Sequence, residues 1–212
     1  LQLASIRPAL AELERAAVWA YGRDGDRDAT LPKVVVTLQT RGKKRERCAH
    51  FLADAWSSRE GESLHELNVS AEVLHQDPVQ IVAHVVHEVV HLTNHDCGIK
   101  DCSKGGRHNA EFRDAAESAG LVATQGKNGW GSTVAGPELV TEIEKDFRPD
   151  VAAFMLAKNA LKEGEKKPRV STAKWTCGCT VVRVAAGVTL NATCGKESCG
   201  NPFTTKEGGQ TQ

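Results

Sequence analysis

His87-Glu88-Val89-Val90-His91 sets two imidazoles four residues apart, with a carboxylate next to the first. On an α-helix, residues four apart lie one turn above each other on the same face. Two rings so placed can reach one Zn²⁺, and Glu88 then stands beside the open coordination position as a general base. The chemistry implied is metal-assisted hydrolysis. The five residues alone are a weak signal, because a half-exposed helix with two solvated histidines gives the same string.

The surrounding sequence strengthens the reading. Asp77 is suited to an N-cap and Pro78 to the first helical position. Val79, Ile81, Val82, Ala83, Val85, Val86, Val89, Val90 and Leu92 make the segment apolar almost all round, which predicts a buried helix over 77–94. One polar stripe interrupts it: His84, His87, Glu88, His91 and His95. A buried line of titratable groups is costly without partners, and a metal ion is one such partner.

A catalytic zinc site needs a third protein ligand. The metzincin spacing would put histidine at 97 and glycine at 94, but these are Cys97 and Asn94. His95 lies eight residues beyond His87, about 12 Å along a helix, too far to share an ion with both rings. His84 sits one turn on the wrong side, so both read as supporting or core histidines. The next helix, expected over 109–120 with Phe112, Ala115, Ala116 and Ala119 inward, offers His108, Glu111 and Glu117. His108 follows Gly105-Gly106 at the head of that helix and is the preferred third ligand. A carboxylate from Glu111 or Glu117 stands as the alternative.

A second constellation lies near the end of the chain. Cys177 and Cys179, then Cys194 and Cys199, form two thiol pairs separated by residues 180–193, expected as strand-turn-strand. Four thiolates in this arrangement fit a tetrahedral four-cysteine ribbon, although neither pair has the usual CxxC spacing. So small a segment has little core, and metal would supply its folding energy. Four reduced thiols without metal, or two disulfides, are the competing readings. Cys97 and Cys102 are expected as free thiols, and Cys48 stands alone. Seven cysteines, an odd number and clustered, read as intracellular metal binding.

The remaining elements must position these groups. Leu10, Leu13, Ala17 and Ala20 predict a packing helix over 6–21, followed by a charged loop over 22–28. Residues 32–39 and, more weakly, 48–56 read as strands forming a hairpin. Its turn, Arg41 to Arg47, carries five basic residues. With 27 Lys+Arg against 27 Asp+Glu and no interleaved aromatics, a solvated turn is preferred there over a phosphate-contacting tip. Ser63 to Ser70 reads as a third strand, the candidate edge that pairs with a substrate backbone. Pro137 to Phe147 predicts an amphipathic helix stopped by Pro149, with another helix over 151–161 and a charged linker over 162–169. No apolar run reaches transmembrane length, so no membrane partner and a cytoplasmic location are expected. The chain starts without Met and without a secretory signal, so its true N-terminus is expected to lie upstream.

His87-Glu-Val-Val-His91, sixteen intervening residues and His108-Asn-Ala-Glu-Phe112 resemble the SprT-like zinc metallopeptidases, the Spartan-related family. Their pattern is HExxH followed by His-x-x-x-Phe opening the next helix. Gly98 to Asn109 and Gly129-Trp-Gly-Ser-Thr133 look like its actinobacterial and phage-associated branch. The family also often carries a C-terminal zinc ribbon. The resemblance covers roughly 30–133 and 174–203. It implies His87, His91 and His108 as ligands, Glu88 as base, peptidase activity on a protein substrate, and a possible link to DNA.

The expectation is therefore an α+β protein. It has a zincin-like metallopeptidase domain over 1–163, a linker over 164–173, a four-cysteine zinc ribbon over 174–205 and a tail over 206–212. One catalytic and one structural zinc are implied. The alternative is a nucleic-acid-binding or adaptor protein whose ribbon carries the function and whose HExxH site is inactive.

Overall fold

The computed structural model describes residues 4–24, 33–39, 48–158 and 172–205. The chain is mixed α+β and divides into two compact units, Leu1–Ala160 and Leu161–Gln212.

The first unit is built around a helix and a three-stranded sheet. Helix α1 (Arg7–Tyr21) precedes β1 (Val34–Gln39), β2 (Ala49–Ser57), β3 (Ser63–Ser70) and helix α2 (Pro78–Asp96). The Asp77 carboxylate accepts from the Val79 N–H at 2.8 Å, the expected cap, which contributes about 1 kcal/mol. Ile81, Val82, Val85 and Val86 of α2 are buried with Leu13, Ala16 and Ala17 of α1 and with Leu67 and Val69 of β3.

The sheet order is β1-β3-β2, with β1 parallel and β2 antiparallel to β3. This corrects two expectations. The first two strands do not pair as a hairpin, and Ser63 to Ser70 is the centre of the sheet rather than an edge. The reason is on its second face. Glu66, Asn68 and Ser70 alternate with Leu67 and Val69 as if exposed, yet all are buried. The Thr37 hydroxyl and the Gln39 amide donate to Glu66 at 2.6 and 3.0 Å, and the Asn68 amide donates to the Thr37 hydroxyl at 2.8 Å. Polar groups on a central strand are tolerable because neighbouring strands satisfy them. β2 is an edge, and it bulges between Leu52 and Trp56, with Asp54 at φ 53°.

A second sheet was not anticipated. After α2 come β4 (Cys102–Ser103), β5 (Arg107–His108), helix α3 (Ala110–Ser118), β6 (Leu121–Gly126) and β7 (Gly129–Ala135), in the order β4-β5-β7-β6. The presumed loop between α2 and α3 is thus partly a small hairpin, and its second strand ends in His108. Helix α4 (Pro137–Glu142) continues into a π-turn over Ile143–Phe147, where Arg148 adopts φ 54° before Pro149. Leu139, Ile143 and Phe147 face inward as expected. Of the helix expected over 151–161, the described residues, up to 158, form a 3₁₀ turn, Val151–Phe154, capped by Asp150. It ends where Ala153 and Phe154 are buried and the Lys158 N–H bonds the Ala71 carbonyl.

The second unit is a three-stranded antiparallel sheet, β10-β8-β9, made of β8 (Thr172–Thr176), β9 (Val181–Ala185) and β10 (Thr204–Thr205). Only one strand lies between the cysteine pairs, where two were expected. Gly187, at φ 85°, turns the chain after β9, and the return strand is instead β8, which precedes Cys177. The basic turn 41–47, most of the loop 22–28, the linker 162–169 and the tail 206–212 lie outside the described residues. Among the described residues, no helix is long and apolar enough to cross a membrane.

Candidate metal centres

His87 and His91 project from one face of α2, one turn apart, and β5 brings His108 against them. One ring nitrogen from each lies within 4.8 Å of the others. The side chain of Phe112 is fully buried beneath all three rings, with centroid separations of 4.7, 4.6 and 4.4 Å to His87, His91 and His108. Phe112 is placed by the cap of α3, where the Asn109 side chain accepts from the Phe112 N–H at 3.1 Å. The same Asn109 donates from its amide to the Lys100 carbonyl at 2.7 Å, tying the preceding loop to the helix head.

Each ring has a partner on Nδ1. His87 meets the Thr133 hydroxyl at 2.8 Å, His91 the Asp101 carboxylate at 2.6 Å and His108 the Asn128 carbonyl at 3.4 Å. A carboxylate and a carbonyl only accept, so His91 and His108 carry their protons on Nδ1. In the neutral rings both Nε2 atoms are then lone pairs, and they lie 3.0 Å apart. Two nitrogens at that distance share a cation: either a proton on one ring, giving an N–H···N hydrogen bond that the raised His91 favours, or a metal ion. Two nitrogens on one tetrahedral zinc, each at about 2.1 Å, would lie about 3.4 Å apart, so the donor set fits a zinc ion.

The electrostatics agree with neutral ligands at two positions. Burial, together with the neighbouring His91, His108 and His84, holds His87 well below its ordinary range, and burial with His91 lowers His108. Burial also opposes charge on His91, but the hydrogen bond to Asp101 and the charges of Glu88 and Asp101 outweigh it and raise that ring. Glu88 is 4% exposed and lines the same cleft, a cavity of about 1130 Å³. One wall of the cleft is the start of β2 with Ala49, His50 and Phe51; the other is the turn of the β6–β7 hairpin.

The remaining sequence candidates fall elsewhere. Glu111 and Glu117 are exposed on α3 and do not join the ring cluster. His84 lines the cleft, where its Nε2 meets the Gln76 side-chain oxygen at 3.0 Å. His95 is half-exposed and packs on His65 and Phe51. His65, His95 and Asp96 also lie within ligand distance of one another. The Asp54 N–H, however, donates to His65 Nδ1 at 3.1 Å, so the neutral ring carries its proton on Nε2 and has no lone pair to give.

Sequence reasoning missed Asp101, Thr133, the Asn128 carbonyl and the glycines that admit His108. A Cβ on Gly129 would lie 2.0 Å from the His108 carbonyl oxygen, and one on Gly131 would lie 2.4 Å from His108 Nδ1. A signal was present: Asn128-Gly129 between alternating residues on either side is a hairpin turn signature.

In the second unit the four sulfurs of Cys177, Cys179, Cys194 and Cys199 lie within 4.8 Å of one another. Cys179 is 3.5 Å from Cys177 and 3.6 Å from Cys194, close to the roughly 3.8 Å expected of two thiolates on one zinc and far from a disulfide bond. Gly178, at φ 96°, makes the tight turn that lets both members of the CxC pair, buried Cys177 and exposed Cys179, turn their sulfurs to the same cluster. Burial opposes ionisation of Cys177, but hydrogen bonds from the Cys179 amide and the Cys179 and Cys194 thiols outweigh it and lower that thiol, while the same shared thiol hydrogen bonds raise Cys179. None of the seven cysteines is in a disulfide.

No protein-family model, curated protein or solved structure matches this chain.

Proposed function

We propose that the first unit is a zincin-type metallopeptidase, of the SprT-like kind its motifs resemble, and that the second is a structural zinc ribbon. The observation that carries the reading is the convergence of one ring nitrogen each from His87, His91 and His108 within 4.8 Å of one another, beside the buried Glu88. His87, His91 and His108 would hold the ion, and Cys177, Cys179, Cys194 and Cys199 would hold the other. A bound zinc ion supplies the Lewis acidity that activates water and polarises a carbonyl. Glu88 accepts the proton of the attacking water and returns it to the leaving amine nitrogen. Phe112 closes the floor beneath the rings and keeps bulk water from that side. β2, the outer strand of the described sheet and a wall of the cleft, replaces the central strand β3 as the segment that pairs with an extended protein substrate.

The test compares wild type with Glu88→Gln. The variant should keep its metal and lose cleavage of an unstructured protein such as casein. Equal cleavage by both would remove Glu88 from the mechanism.

A second reading, nucleic-acid binding through the C-terminal unit, draws on charge. Residues 161–212 hold eight Lys and Arg against four Asp and Glu in a chain that is neutral overall. Lys174 and Arg183 lie directly opposite across β8 and β9, where like charges repel. A gel shift with duplex and single-stranded DNA that weakens with salt, without cleavage by wild type, would favour it.

A further inference from the structure

We infer that Asp101 is the positioning residue on which retention of a divalent cation by the three imidazoles depends, with Asn94 and Cys102 holding it in place. The inference rests on the metal-site half of the proposed function and is independent of peptide cleavage.

The three rings are held unequally. His87 leans on a hydroxyl and His108 on a carbonyl at 3.4 Å, whereas His91 bonds a carboxylate at 2.6 Å. A charge-assisted bond of this length fixes the ring plane and tautomer more firmly than the other two. His91 and Asp101 are nearly buried, their side chains 12% and 13% exposed. A carboxylate in such a place is costly unless its lone pairs are used. Asp101 Oδ2 also accepts from the Asn94 amide at 3.1 Å, and the Cys102 thiol is hydrogen-bonded to the same carboxylate. The backbone is pinned as well: the Asn109 N–H donates to the Asp101 carbonyl at 3.0 Å, and Cys102 pairs with His108 across β4 and β5. One short segment therefore sets both the orientation of His91 and the approach of His108.

Charge points the same way. A divalent cation on three neutral imidazoles carries two positive charges. Among the described residues the cleft is lined by two carboxylates, Glu88 and Asp101, and by Lys127, so losing Asp101 removes one of the two negative charges that offset a divalent cation.

The experiment is cobalt(II) binding to the full-length chain in competition with a chelator. The weak d–d absorption of a nitrogen and oxygen site reports the imidazoles. The thiolate-to-cobalt charge-transfer band reports the cysteine cluster and serves as the control for folding. Asp101→Asn should weaken the imidazole site 10- to 100-fold and leave the cysteine band unchanged. Asp101→Glu should recover part of the loss, and Thr133→Val, which removes the neutral partner of His87, should cost less. Asp101→Asn within twofold of wild type, or an equal loss in Thr133→Val, would overturn the inference. Wild type that binds cobalt only at the cysteines would overturn the inference and the peptidase reading together. Loss in Asp101→Asn alongside a wild type that loads its imidazole site but cleaves nothing would support the inference while removing the peptidase reading.

Discussion

Gly131→Ala isolates the geometry of the histidine site from the stability of the fold. The backbone of Gly131 does not lie in the left-handed region, so alanine can adopt it without strain. The obstacle is the His108 ring: an added Cβ would lie 2.4, 2.6 and 3.0 Å from Nδ1, Cε1 and Cγ, where ordinary contact begins at 3.4 Å. The ring must retreat by about 1 Å, whereas a zinc ligand tolerates about 0.2 Å. Phe112 packs 4.4 Å from the ring and blocks simple adjustment on that side. The expected result is loss of His108 as a ligand, with metal affinity falling at least about 100-fold, or about 2.8 kcal/mol. Stability of the metal-free chain should change by less than about 1 kcal/mol, because alanine restricts the unfolded chain and the clash falls on a side chain. The assay is chelator competition for zinc, paired with urea unfolding of the metal-free protein. Gly126→Ala is the matched control: it sits in the same hairpin with nothing within 4 Å of its added Cβ, and should bind as wild type does. Wild-type affinity in Gly131→Ala would show that His108 is not a ligand.

Three further outcomes follow from the packing. Burial pushes Glu12 upward, but the Arg15 guanidinium and the Asp150 N–H outweigh it and hold the carboxyl below the usual range. A lowered folded value gives stability that is present above the unfolded value and lost as pH falls through the folded one. Glu12→Gln should cost about 1–2 kcal/mol at pH 7 in urea unfolding and converge with wild type in acid; parallel curves would refute the linkage. Phe112→Ala, at a fully buried position, should cost about 3–5 kcal/mol by thermal or urea unfolding and weaken metal binding as well. The Cys102 thiol is pushed up to about 12 by burial and the adjacent Asp101, whereas Cys97 is exposed. Iodoacetamide at pH 8 should therefore label Cys97 well before Cys102, read by peptide mass spectrometry.

The parts of this protein legible in its sequence are those whose causes are local. α2 could be read from Asp77, Pro78 and an apolar period because a cap and a buried face are written within nineteen residues. The order of the first sheet could not, because Glu66 and Asn68 look like solvent-facing residues until Thr37 and Gln39, about thirty positions earlier, are set beside them. The converging histidines were legible for a related reason: imidazole is a residue type, and its spacing on a helix is a geometric statement. What holds the rings was not, because the Nδ1 partners are a carboxylate, a hydroxyl and a backbone carbonyl drawn from residues 101, 133 and 128. A carbonyl belongs to every residue and marks none, so no inventory of side chains can contain the role of Asn128. Its trace in the sequence is negative: at Gly129 and Gly131 the approach of His108 is too close for any Cβ, and the two glycines record a contact that no functional side chain declares.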